Sequence, residues 1–179
     1  MAMLAKLKSC RNLAGLSADA LEGVSGLALD LFNYSNPRAN VLTDDNTILS
    51  HFSDAEWTEL LKVMERRRFA PGTLILEAGS SDRTLYIIAA GDVDVVATTT
   101  AGVQHLAVIG EGSVFGEMAF FDGGPRSADI LARGEVEVLA LQQDRFEQLV
   151  AWHPRIATKL LMDLGRVLSR RLRHVNQLV

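Results

Sequence analysis

Hydrophobic and polar positions along this chain change period twice after Ser53. Trp57, Leu60, Leu61 and Met64 recur at helical spacing, and Ser53 followed by Glu56 has the form of a capping box. This predicts a helix ending near Arg67, with Pro71-Gly72 as the turn beyond it. Short apolar runs of strand length come next: TLIL, TLYIIAA, VDVVA, QHLAVI, ADILA and VEVLAL. Glycines stand between them, so turn signals recur roughly every 8 to 12 residues, the rhythm of an antiparallel sandwich or jelly roll. After Leu141 the period becomes helical again, first across Asp144 to Ala151 and then, past the His153-Pro154 break, from Arg155 to near Val175.

The expected fold is therefore mainly β: an antiparallel, jelly-roll-like β-roll with an N-terminal helical segment and C-terminal helices. Three units follow: an appendage over residues 1–46, the roll over 47–152 and a C-terminal helix over 153–179. In the appendage, Ser17 caps an amphipathic helix predicted over Ala18 to Phe32, followed by the loop NYSNPRAN. GLSADALEGV and HFSDAEWTELLKV share a serine, an acidic stretch and helical apolar spacing, which two unrelated capped helices explain without a repeat.

Composition narrows the function classes. Of 179 residues 48% are hydrophobic, enough for a packed core and against intrinsic disorder. Eighteen Lys and Arg stand against twenty-two Asp and Glu, a net charge of −4, so the chain as a whole is no general nucleic-acid binder. The charge is uneven: from His153 onward Arg155, Lys159, Arg166, Arg170, Arg171 and Arg173 oppose Asp163 alone. Cations near a helix C-terminus complement its dipole, so a solvated helix end is the default reading there, and the run Arg66-Arg67-Arg68 is read the same way.

A single cysteine, Cys10, excludes an internal disulfide and a Cys-rich zinc site and fits a reducing cytoplasm. Glu22 and Asp30 interrupt the most apolar stretch, so no transmembrane segment is expected. The lysines within MAMLAKLKSC and the lack of a clear cleavage site argue against a secretory signal. His51, His105, His153 and His174 are dispersed without metal-ligand spacing. With no nucleophile–base motif either, no metal, cofactor or catalytic residue is expected.

The stretch most informative for chemistry is Gly110 to Ala128, GEGSVFGEMAFFDGGPRSA. Gly116 permits close backbone approach, and Glu117-Met118-Ala119 begins a short helix whose first N–H groups form an anion site. Arg126 follows Glu117 by nine residues and offers the planar guanidinium suited to a phosphate. A carboxylate beside bound phosphate makes sense if it accepts from a hydroxyl such as a ribose 2′-OH, or if it pairs with Arg126. As a surface ion pair bracing the loop, Glu117 and Arg126 would be worth only about 0–1 kcal/mol.

The segment FGEMAFFDGGPRSA resembles the phosphate-binding cassette of the cyclic nucleotide-binding domain family. Its step from Glu to Arg is similar to that in kinase regulatory subunits and bacterial cyclic-nucleotide-gated channels, and one residue shorter than in the catabolite activator. Phe69-Ala70-Pro71-Gly72, the Gly79 turn, Leu85-Tyr86-Ile87-Ile88, Gly91-Asp92-Val93 and Ile109-Gly110 resemble the family's β-roll framework, so the likeness covers roughly residues 47–175.

The resemblance implies a non-enzymatic receptor for cyclic AMP or cyclic GMP, with cyclic AMP favoured although Ser127 suits either. The ligand residues it implies are Phe115, Gly116, Glu117, Met118, Ala119, Pro125, Arg126, Ser127 and Ala128. Glu117 would take the ribose 2′-OH, Arg126 the cyclic phosphate, and Ser127 and Ala128 the phosphate or base. A C-terminal helix would act as a lid, with Val167, Leu168 and Arg171 as its candidate contacts.

Phe120 replaces the usual aliphatic, Asp129 stands where a threonine often follows, and Asp122 puts a second carboxylate near the anion site. Leu161, Leu164, Leu168, Val175 and Leu178 fall at heptad spacing, for packing on the roll or for a homodimer. Only Asn176 to Val179 follow the lid, so no DNA binding is expected from this chain, and the effector protein is unidentified. The competing reading is a degenerate domain of the same fold serving as an interaction scaffold, or as a transcription-regulator-like sensor lacking its DNA-binding module.

Overall fold

A computed structural model describes residues 48–49, 51–99 and 102–176. The first helix among the described residues is α1 (Asp54–Lys62). Strands β1 (Glu65–Phe69), β2 (Leu74–Leu76), β3 (Leu85–Ala90), β4 (Val93–Thr99), β5 (Gly102–Ile109) and β6 (Val114–Phe115) follow. Then come helix α2 (Glu117–Asp122), strands β7 (Asp129–Ala132) and β8 (Val136–Leu141), and helices α3 (Gln143–Trp152) and α4 (Pro154–Asn176). Two four-stranded sheets, ordered β1-β8-β3-β6 and β2-β7-β4-β5, are joined throughout by antiparallel pairs. This is the expected roll. The appendage helix over Ala18 to Phe32 lies outside the described residues, as do Leu178 and the side chain of Val175.

Two cores share the sheet that holds β3 and β8. Tyr86 and Ile88 of β3 and Val136, Val138 and Ala140 of β8 point into the roll, against Leu76, Val93, Val95, Leu106, Ile109, Ile130 and Ala132 of the other sheet. The alternate residues Leu85, Ile87, Ala89, Leu139 and Leu141 face the helices, meeting Trp57, Leu60, Phe120, Phe146, Leu149, Ile156, Leu160, Leu164 and Val167. Successive strand side chains point to opposite faces, so a strand covered on both sides reads as an unbroken apolar run, as TLYIIAA and VEVLAL do.

The capping box forms: Ser53 Oγ accepts the Glu56 N–H at 3.3 Å, and Glu56 Oε2 accepts the Ser53 N–H at 2.8 Å. Phe52, just before the cap, meets Trp57 in the first turn with ring centroids 6.1 Å apart, a hydrophobic staple. The helix stops at Lys62 rather than near Arg67. Glu65–Phe69 instead becomes β1, in register with β8 from Glu65↔Ala140 to Phe69↔Val136. ERRRF has no apolar alternation to announce a strand. Its pairing comes from a partner some seventy positions away, where Glu137 accepts from Arg66 and Arg68, each at 2.9 Å.

The heptad residues divide between two surroundings. Leu164 is wholly buried against the roll, whereas Leu161 lies at the exposed edge of α4 and Leu168 is half-buried. No described helix is long and apolar enough to cross a membrane.

Candidate functional site

Strand β6 pairs with β3 through Tyr86↔Phe115, and the chain then turns sharply at Gly116 into α2. Gly116 has φ 78°, in the left-handed region. A Cβ placed there would stand 2.5 Å from Arg126 Nη1 and 2.9 Å from the Thr84 carbonyl oxygen. Only glycine meets both demands. The first N–H groups of α2, which a helix leaves without intrahelical partners, open beside the Arg126 side chain that fills this corner.

Arg126 is 4% exposed. Its Nη1 donates to the Gly116 carbonyl at 2.8 Å, and its Nη2 donates to the Thr84 carbonyl at 2.7 Å and to Asp82. Its Nε is buried and has no partner among the described residues. The ring of Tyr86 lies beneath the guanidinium, 6.0 Å from it, and stacks on Phe115 at 4.9 Å. Burial pushes the Asp82 carboxyl up, but bonds from Thr84 and Arg126 and the Arg126 charge outweigh it and hold Asp82 below its ordinary value. Burial, then the neighbouring Asp82 charge, push the Tyr86 hydroxyl up.

Glu117 is also buried, and its partner is not Arg126. Arg171, three-quarters of the way along α4, donates through Nη1 to Glu117 Oε1 and through Nη2 to the Val114 carbonyl at 2.7 Å. The pairing of Glu117 with Arg126 entertained from sequence is thus replaced by two separate pairs, each drawing on a residue more than forty positions away. Glu117 and Arg126 are both at least 95% buried, so neither pair lies wholly at the surface, although Asp82 is 44% exposed.

One cleft gathers Phe115, Gly116, Glu117, Met118, Ala119, Arg126, Ser127, Ala128 and Arg171, with an apolar wall from Leu76, Val95, Leu106, Ile109 and Ile130. Ser127 Oγ reaches Met118 Sδ at 3.8 Å. Pro125 is exposed and outside the lining, Val167 packs into the helix core, and Leu168 is half-buried away from the cleft. Neither Asp122, expected to put a second carboxylate near the anion site, nor Asp129, which stands where a threonine often follows, lines it. Asp122 accepts the Gly124 N–H at 2.8 Å beyond α2, and Asp129 accepts the Ala78 N–H at 2.6 Å. Phe120 is buried edge-on against Phe146, 5.2 Å between centroids.

Sequence reasoning missed Asp82 and Thr84, which set the guanidinium in place. Nothing local marks them, since Thr84 acts through its backbone and Asp82 sits in an ordinary loop pattern, SSDRT. Among the described residues no group of three or more His, Cys, Asp or Glu is placed to hold a metal ion.

Two antiparallel sheets rolled together, a short helix entered at a left-handed glycine beside a buried arginine, and a long helix whose Arg171 lines the cleft define a β-roll with flanking helices. The chain belongs to the cyclic nucleotide-binding domain family, which matches residues 66–153. The crystal structure of a cyclic nucleotide-binding domain from Methylobacillus flagellatus KT superposes with a TM-score of 0.68 at 30% identity, covering 72% of each chain. The cyclic AMP receptor protein of Thermus thermophilus is 34% identical over 117 residues, 65% of this chain and 52% of that protein. Glutaminase 2 of Bradyrhizobium diazoefficiens is 30% identical over 155 residues, 86% of this chain but 24% of that protein. The chain thus spans about half of the one and a quarter of the other.

Proposed function

We propose that this chain is a non-enzymatic receptor module for a cyclic nucleotide, cyclic AMP in preference to cyclic GMP, working in the cytoplasm. The observation that carries this reading is Arg126: buried, fixed by Asp82 and two carbonyls, and left with one unpartnered donor at the wall of a cleft. A phosphate oxygen satisfies that donor and gives the buried guanidinium a second counter-charge. The first N–H groups of α2 take the remaining phosphate oxygens. Glu117 accepts the ribose 2′-OH, while Ser127, Ala128 and the apolar wall take the base.

In this reading residues 47–152 are the receptor, 153–179 the lid and 1–46 an appendage that leads to the effector. Arg171 holds the same carboxylate that the ribose uses, so ligand and α4 are energetically linked. Nucleotide then moves α4 only by its difference in affinity for the two placements. Exposed Leu161 and half-buried Leu168 leave α4 an edge for a second copy. Calorimetric titration of nucleotide-free chain with cyclic AMP and cyclic GMP tests the receptor, with binding expected at micromolar or lower concentration and in favour of cyclic AMP.

A second reading, a retained scaffold that binds no nucleotide, draws on the fact that Glu117 and Arg126 already have protein partners. Silence in both titrations would establish it. The span shared with Glutaminase 2 bears on the effector: 155 matched residues exceed the 132 from Ile48 to Val179, so part of the match precedes the roll. We read the appendage as a joint to an enzyme of that kind, which glutamine hydrolysis in material captured on the tagged chain would test.

A further inference from the structure

Tyr86, whose ring lies beneath Arg126, also lines a second cleft, of about 430 Å³. Arg67 of β1, Glu77 and Asp82 from the loop between β2 and β3, and Leu74 and Leu76 of β2 line it too, so its walls carry both signs of charge and an apolar strip. Arg67 and Asp82 are not paired with each other. Arg67 donates through Nε and Nη2 to Glu65 at 3.0 and 2.6 Å, while Asp82 accepts from Thr84 and Arg126. Each nevertheless stands within range of the other's charge: the Arg67 guanidinium is raised chiefly by its bond to Glu65 and, at longer range, by Asp82. Burial, then the Asp82 charge, keep the Tyr86 hydroxyl protonated and therefore a donor.

A cleft that holds opposite charges apart suits a molecule carrying both signs on one short skeleton. The Glu65 bonds leave Arg67 Nη1 to donate to a carboxylate, with the Tyr86 hydroxyl beside it. Asp82, 44% exposed, and Glu77 accept from an ammonium, and the exposed Leu74 offers apolar contact to a side chain. A bare anion would meet Asp82 and Glu77 with no cation of its own, and a bare amine would meet Arg67. The volume lies in the range of small-molecule sites, about 300–1,000 Å³. We infer that this cleft is a second ligand site, taking an aliphatic α-amino acid with its carboxylate on Arg67 and Tyr86 and its ammonium on Asp82. Because Asp82 also holds Arg126, an ammonium there stands near a phosphate bound at Arg126. Opposite charges attract, so each ligand should tighten the other by the same factor. The site stands without the receptor reading, and this coupling rests on it.

Titration of the whole chain with L-leucine, read by NMR at the Ser80 and Thr84 amides, tests the site. Saturable shifts are expected, whereas isoamylamine and isocaproate, the same skeleton with one charge each, should bind at least about tenfold more weakly. Arg67→Gln should weaken L-leucine by about tenfold. Leu74→Ser, at the exposed rim, should weaken L-leucine several-fold and leave glycine unchanged, which keeps the test open if Arg67→Gln disturbs β1. No saturable shift with L-leucine overturns the site, as does binding no tighter than that of the amine or the acid alone, or full affinity in both variants.

Calorimetry with cyclic AMP, with and without saturating L-leucine, reads the coupling. L-leucine should raise nucleotide affinity about fivefold in wild type and not in Arg67→Gln, whose affinity without L-leucine should match wild type. Nucleotide binding indifferent to bound L-leucine overturns the Asp82 route and leaves the receptor intact. L-leucine binding without any nucleotide binding sinks the receptor reading and upholds the second site.

Discussion

Arg126 and Arg171 line the same cleft and are held in opposite ways. Arg126 is bound by the frame: two backbone carbonyls and Asp82 from the loop before β3, with Tyr86 stacked beneath. Arg171 comes from a helix outside the roll and reaches one carboxylate and one carbonyl at its tip. The first pays its desolvation when the protein folds, so it is preorganised for a ligand. The second can trade its partner for solvent if α4 moves. In the proposed receptor the rigid charge selects the ligand and the movable one reports it.

The comparison breaks first at Arg126. In Arg126→Ala a bound phosphate loses its buried counter-charge, costing about 2–5 kcal/mol, or about thirty- to several-thousand-fold in nucleotide affinity by calorimetry. Gly116→Ala attacks the same frame through the backbone. The left-handed φ costs about 1–3 kcal/mol, and the overlap with Arg126 and Thr84 adds to it. Denaturant unfolding should show a loss at least that large.

Glu117→Gln sharpens the contrast, because the neutral amide weakens the ribose bond and loosens Arg171 together. Affinity should fall about five- to tenfold. The penalty for 2′-deoxy nucleotide should shrink in the variant, and an equal penalty in both proteins would contradict the ribose role.

The smallest effect is one of pH. Glu56 is held down at about 2 from an ordinary 4.5, chiefly by its bond to Lys159 and then by the Ser53 N–H. A lowered carboxylate adds stability that is whole above about pH 5 and is lost as pH falls towards its folded value. Asp82 shifts in the same direction. Acid unfolding should therefore steepen below pH 4.5, and Glu56→Gln should flatten part of that decline.

The cassette was legible in the sequence because its demands are local: Gly116 for a left-handed turn, α2 directly after it, and Arg126 nine residues beyond Glu117. Strands β3 and β8 were legible as unbroken apolar runs. β1 was not, since ERRRF is charged at every position but its last and becomes a strand by pairing with β8.

The sequence by itself determined the order of the flanking helices and of every strand but β1 and β6, the glycine turn into the cassette and the residue types that the proposed phosphate and ribose contacts call for, because these follow from periodicity and from chemistry within one short stretch. Tertiary structure alone decided who pairs with whom. Asp82 for Arg126, Arg171 for Glu117 and Asp163 for the Leu49 amide join positions 44, 54 and 114 residues apart. Such pairings arise where packing brings two polar groups, at least one of them buried, within reach, and a chain read one neighbourhood at a time carries no record of that distance.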